Sequence, residues 1–125
     1  VERAKMPKLY IGNAFSLGML DLQPGEWTSI RIFKLESDEE AIDTVNRYLE
    51  RGYDLESYVG HESTAKIISK KLKMKIPVKR IAVETNMVDD VILVFQLLQR
   101  IPPATELSEE QLEKIKYCWY FITGT

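Results

Sequence analysis

Apolar positions along the chain change period several times, and each change marks an element. "KLYIGNAF" (8–15) is a short apolar run that predicts a buried strand, and "SLGML" (16–20) a single helical turn. The Pro-Gly pair of "QPGE" (23–26) makes a turn. "WTSIRIFKL" (27–35) alternates as a strand does. Ser37 with Glu40 forms a capping box, and acids fill the turn that follows. Ala41, Ile42, Val45, Tyr48 and Leu49 then recur at helical spacing until Gly52 ends the helix. "DLESYVG" (54–60) predicts a short strand leading to His61. Ser63 is placed to cap the next helix, with Ile68 and Leu72 turned inward and Pro77 beyond its end.

"KRIAVET" (79–85) and "DDVILVFQLL" (89–98) predict two strands joined as a hairpin around "NMVD". "IPPATEL" (101–107) carries two prolines and is not helical. "SEEQLEKI" (108–115) repeats the capping box with Ser108 and Gln111, and the aromatic "YCWYFIT" (117–123) reads as a closing strand. Interleaved strands and helices with a hairpin predict an α/β fold: one domain, a mixed sheet and flanking helices. "VERAK" before Met6 shows no pattern. Residues 1–7 are read as a disordered lead, left by cloning or trailing from a preceding domain, and residues 8–125 as the α/β domain.

Composition narrows the class. The chain has 125 residues, 45% of them hydrophobic, enough for one core, and 29% charged, too ordered a mixture for a disordered chain. No apolar run reaches the ~20 residues of a membrane span, so the expected location is the cytoplasm, without membrane attachment. The single cysteine, Cys118, offers neither a disulfide nor zinc-ligand spacing, and its aromatic strand predicts a buried, inert thiol. Net charge is −2, which disfavours general binding to duplex nucleic acid. Lysines nevertheless gather between Lys66 and Lys79. They read either as a solvated face or as a local positive field for a small phosphorylated ligand.

Twice, small polar residues stand where a strand gives way to a helix: Asn13, Ala14, Phe15 and Ser16, then Gly60, His61, Glu62, Ser63 and Thr64. Unpaired N–H groups and the dipole at a helix start favour a phosphate. Each corner is equally readable as an ordinary cap, and His61, the only histidine, as a surface residue. No Asp/Glu/His grouping has metal-ligand spacing, so no cofactor is called for. RNA cleavage by internal attack fits this equipment. The substrate's own 2′-hydroxyl is the nucleophile, and an imidazole, titrating near ~6.5, can protonate the leaving 5′-oxygen for a gain of roughly 10²–10⁴.

"LYIGNAFSLGML" and "VGHESTAKIISKKL" together resemble the two signature blocks of the viral anti-CRISPR ring nucleases, N-A-F-S and G-H-D/E-S-T. The spacing between the blocks and "QLLQR" (96–100) are also similar, and the resemblance runs from about Leu9 to about Leu112. It implies a small α/β homodimer that cleaves cyclic tetra-adenylate without metal, to linear adenylates, and so silences the ancillary nucleases of type III CRISPR systems. Members occur in archaeal viruses and phages, and in cellular genomes. Carried over by position, His61 matches the catalytic histidine. Asn13, Ala14, Phe15 and Ser16 match the ligand-contacting loop, Ser63 and Thr64 the phosphate-binding helix start, and Gln96 and Arg100 polar residues of the pocket. The family pattern places a glutamate and then a glycine shortly after this arginine; here Pro103 and Ala104 stand there, and Glu106 is out of register. A slow enzyme, or a protein that only sequesters the messenger, is the alternative. A near-symmetric ring suits a two-fold dimer that presents each corner and each His61 twice. A third reading makes both corners plain caps and the aromatic 117–123 strand a sheet edge for a protein partner.

Overall fold

The computed structural model describes residues 6–100 and 107–125. The first five residues of the expected lead, and "IPPATE" with Pro103, Ala104 and Glu106, lie outside them. Pro7 already meets the sheet, its carbonyl accepting from the Asp54 N–H at 3.0 Å.

Five strands, β1 (Lys8–Gly12), β2 (Ile30–Leu35), β3 (Asp54–Ser57), β4 (Val91–Leu97) and β5 (Tyr117–Gly124), form one mixed sheet in the order β2-β5-β4-β1-β3. β1 runs parallel to both β3 and β4, while β5 lies antiparallel between β2 and β4. Period-2 alternation sorts the side chains. Leu9, Ile11, Leu93, Phe95, Trp119 and Phe121 face one way and form the main core with helices α1 (Asp38–Glu50), α2 (Glu62–Leu72) and α3 (Glu109–Lys114). Ala41, Val45, Ile68, Leu72 and Leu112 supply the helical side of that core. Burying each large aliphatic side chain contributes about 1.5–3 kcal/mol. Phe95 sits at the centre, with the Trp119 ring 5.0 Å away edge-on and the Tyr117 ring at 4.9 Å. The opposite face holds Tyr10, Ile92, Val94 and Ile122, met by Val83 and Met87 from an irregular segment rather than by a helix.

The capping signals of α1 and α3 are realised with one change. In α3 the box is reciprocal: Gln111 N–H donates to Ser108 Oγ (3.2 Å) and Ser108 N–H to Gln111 Oε1 (2.9 Å). In α1, Glu40 N–H donates to Ser37 Oγ (3.1 Å), but the Glu40 carboxylate reaches past Ser37 and accepts from Glu36 N–H at 2.8 Å. Gly52, at φ +89°, closes α1 as a Schellman turn in which Tyr53 N–H donates to the Tyr48 carbonyl (3.1 Å). Ser37→Ala is expected to cost about 1 kcal/mol, seen as a lower urea midpoint at unchanged slope.

Asp38, the first residue of α1, accepts from Tyr117 Oη (2.6 Å) and Trp119 Nε1 (2.9 Å), which seats the helix on β5. Burial, then this bond, raises the Tyr117 pKa, so the phenol stays a donor.

Three expectations are corrected. The 79–85 segment is not a strand. Its alternation is real, with Val83 and Thr85 buried, but it is spent packing on the sheet face, and its only ladder contact is a parallel bridge from Thr85 to Leu20. The hairpin therefore does not form, because both edges of β4 are already taken by β1 and β5. The aromatic closing strand is not an edge either: β5 lies between two neighbours, so its aromatics belong to the core and present no free edge to a partner. Cys118 on this strand is half-buried. No helix among the described residues is long and apolar enough to cross a membrane.

Candidate functional site

Because β1, β3 and β4 are parallel, their C-terminal ends leave the sheet along one edge. Open α/β sheets commonly bind ligands there. All three segments singled out in the sequence start from this edge: Asn13–Ser16 after β1, Tyr58–Thr64 after β3, and Gln96–Arg100 at the end of β4.

The first two are fastened together by a residue that sequence reasoning passed over. Tyr58 Oη donates to the Ala14 carbonyl at 2.6 Å. Its ring lies so close to Gly12 that a β-carbon there would fall 2.1 Å from Tyr58 Cε2. Burial raises the Tyr58 pKa, which keeps the phenol protonated as this donor. Neither half of the contact has a local signature, since the partners stand 44 residues apart.

The second corner differs from its sequence reading in one respect. Ser63 is not the cap; it lies inside α2, whose N-cap is His61, with φ −130° and ψ 137°. The His61 carbonyl accepts the first intrahelical bond from Ala65 N–H (3.0 Å), and its exposed imidazole makes no capping bond. Helical geometry leaves the N–H groups of Glu62, Ser63 and Thr64 without intrahelical acceptors. Thr64 is buried and Ser63 half-buried.

The segment expected as a strand instead braces this corner. Ser57 Oγ donates to the Pro77 carbonyl (2.6 Å), Lys79 N–H to Val59 (2.9 Å), and Arg80 Nε to Gly60 (2.9 Å). The last contact holds a guanidinium beside the residue that precedes His61. Lys79 also donates to Glu56 at 2.8 Å, and this bond holds the Glu56 carboxyl below its usual range.

The first corner opens on a single 3₁₀ turn, Leu17–Met19, not on a helix, so the charge of a helix dipole is missing there. What it offers is loop backbone and the Asn13 and Ser16 side chains. Asn13, Ala14 and Ser16 line a pocket of about 400 Å³ with Tyr58 and residues 81–83. Phe15 lines a separate depression of about 200 Å³ on the same sheet face, with Gln96, Ile32, Val94 and Tyr120. Gln96 Nε2 donates to the Leu97 carbonyl at 3.1 Å. Arg100 is exposed beyond β4. The candidate residues thus share one edge of the sheet, and among the described residues Asn13, Ala14 and Ser16 line a different pocket from Phe15 and Gln96. Among the described residues, no three His, Cys, Asp or Glu side chains are grouped so as to hold a metal ion.

Fold and edge together define a small α/β protein with a mixed sheet, helices on one face, and its candidate chemistry at the ends of the parallel strands. A family model described as STIV B116-like matches residues 9–119, and the chain belongs to this family. The solved structure of B116 of Sulfolobus turreted icosahedral virus is similar, with a TM-score of 0.75 and 28% sequence identity over 93% of this chain and 98% of that one. The chain is also 30% identical over 90 residues to the uncharacterized protein YddF of Bacillus subtilis (strain 168), covering 70% of this chain and 82% of that protein.

Proposed function

We propose that the protein is a metal-independent ring nuclease for cyclic tetra-adenylate, acting in the cytoplasm of a cell whose type III CRISPR effectors use that messenger. The observation that carries this is the His61 corner. An imidazole occupies the N-cap of α2 without capping it, exposed, on the same sheet edge as the Asn13–Ser16 loop.

In this reading the 2′-oxygen of an adenylate attacks its own 3′-phosphorus and the P–O5′ bond breaks. The products are a 2′,3′-cyclic phosphate and a 5′-hydroxyl. His61 gives its proton to the leaving 5′-oxygen. The free N–H groups of Glu62, Ser63 and Thr64, with the Ser63 hydroxyl, hold the phosphate charge at the start of α2, and Arg80 adds a fixed cation beside it. Asn13, Ala14, Phe15 and Ser16 hold the neighbouring nucleotide, and Gln96 and Arg100 close the far side of the ring.

The protein works as a homodimer. Its helices all lie on one sheet face, while the other leaves Ile32 57% exposed next to the depression that holds Phe15 and Gln96. A second copy covering that face unites Phe15 and Gln96 of one chain with the site of the other, and presents two His61 side chains to one ring.

The test is incubation of the wild-type protein with labelled cyclic tetra-adenylate in EDTA. Linear adenylates ending in a 2′,3′-cyclic phosphate are expected. Tight binding without products would instead assign a messenger-sequestering protein, the outcome that Pro103 in place of a glutamate favours. Neither binding nor cleavage would overturn the reading.

A further inference from the structure

A second concave surface begins where the His61 corner ends. The outer side of α2 and the 75–80 segment enclose a groove of about 650 Å³ whose floor is apolar, formed by Ala65, Ile76, Pro77 and Val78. Among the described residues, its lining includes Lys66, Lys70, Lys75 and Arg80 and one acid, Glu62. In a chain of net charge −2 this is a concentration of positive potential, and low-dielectric walls sharpen it. Lys70 is paired with Glu109 at 3.2 Å, but both side chains are largely exposed, so the pair is weak and exchangeable. Lys71 is separate from this set: it turns to the Leu112 carbonyl and the Tyr117 ring.

We infer that this groove binds single-stranded oligoribonucleotide, the linear product or a linear competitor of the ring, with its backbone on the lysines and a sugar or base on the apolar floor. Two observations select this ligand. Arg80 and Glu62 stand at the groove's mouth and also at the start of α2, so a chain leaving the His61 corner enters the groove directly. The volume suits one or two nucleotides and is too small for a duplex. The choice of an adenylate rests on the ring-nuclease reading, whereas the anionic, single-stranded chemistry rests on the groove alone.

The probe is fluorescein-labelled linear tetra-adenylate, followed by anisotropy in EDTA between 50 and 200 mM salt. Lys70→Gln/Lys75→Gln removes two phosphate contacts. Between the two salt concentrations, wild-type affinity is expected to fall about sevenfold more than that of the double variant, from a slope of roughly −0.7 per contact. Circular dichroism of the variant checks that it is folded. Equal binding and equal salt slopes for wild type and double variant would overturn the inference. So would displacement of the label by poly-glutamate as readily as by unlabelled RNA, which would make the groove an acidic-peptide surface. Binding by wild type, lost in the double variant, upholds the groove even if cyclic tetra-adenylate proves not to be cleaved, so the two readings fail separately.

Discussion

His61→Asn is expected to produce a protein that is more stable and nearly inactive. An N-cap residue with a short polar side chain accepts from the N–H two or three positions on, and the usual gain over a residue that cannot is about 1 kcal/mol. His61 occupies this position and makes no such bond, so the native residue forgoes that stabilisation. Asparagine restores it but carries no proton to give to a leaving oxygen. The expected fall in single-turnover cleavage of cyclic tetra-adenylate is about 10²–10⁴-fold, the usual worth of a positioned general acid. Cleavage and a urea melt on one preparation decide the matter. Stability gained with activity kept would make His61 a weak cap and nothing more; stability lost would mean that the imidazole holds something in place.

Gly12→Ala should disturb both corners at once. The new β-carbon would overlap the Tyr58 ring, 2.1 Å from Cε2, and neither strand is free to yield because β1 is hydrogen-bonded on both sides. Overpacking of this kind costs about 1–3 kcal/mol. The ring must swing out, and the 2.6 Å bond to the Ala14 carbonyl goes with it. In a Tyr58→Ala background the same substitution should cost almost nothing, so the double-mutant cycle isolates the contact. A full penalty in both backgrounds would place the strain elsewhere. Because the bond fixes the first loop, cleavage in Gly12→Ala is expected to fall through KM as well as kcat, whereas His61→Asn should act on kcat alone.

What the sequence disclosed was mostly local. Ser37 with Glu40, Ser108 with Gln111, and Gly52 announced helix ends because their partners lie within four residues. β1 and β4 were legible as short apolar runs. The mixed α/β architecture and the family resemblance carried by N-A-F-S and G-H-E-S-T both agree with the sheet and the family match. The illegible parts depend on distant partners. Alternation in 79–85 specifies one buried face but not what buries it, and a sheet face satisfies Val83 and Thr85 as well as a neighbouring strand would. Ser63 looked like the cap because its chemistry is better suited than that of His61, yet the helix begins two residues earlier. The Tyr58 and Arg80 contacts span 44 and 20 residues and leave no trace in spacing. Of the candidate residues, the sequence recovered those that surround one edge, but not that Asn13 and Ser16 line one pocket while Phe15 and Gln96 line another on the same sheet face.

The position of β5 also sets the order in which the molecule can assemble. Among the described strands it comes last in sequence and lies second in the sheet, where it joins β2 to β4. Until β5 is made, β2 has no neighbour in the sheet and Asp38 lacks its two donors, which stand 79 and 81 residues downstream. Closing loops of that length is a large entropic step that no local contact offsets in advance. The β2 edge of the sheet and the anchoring of α1 through Asp38 therefore form only once β5 is in place.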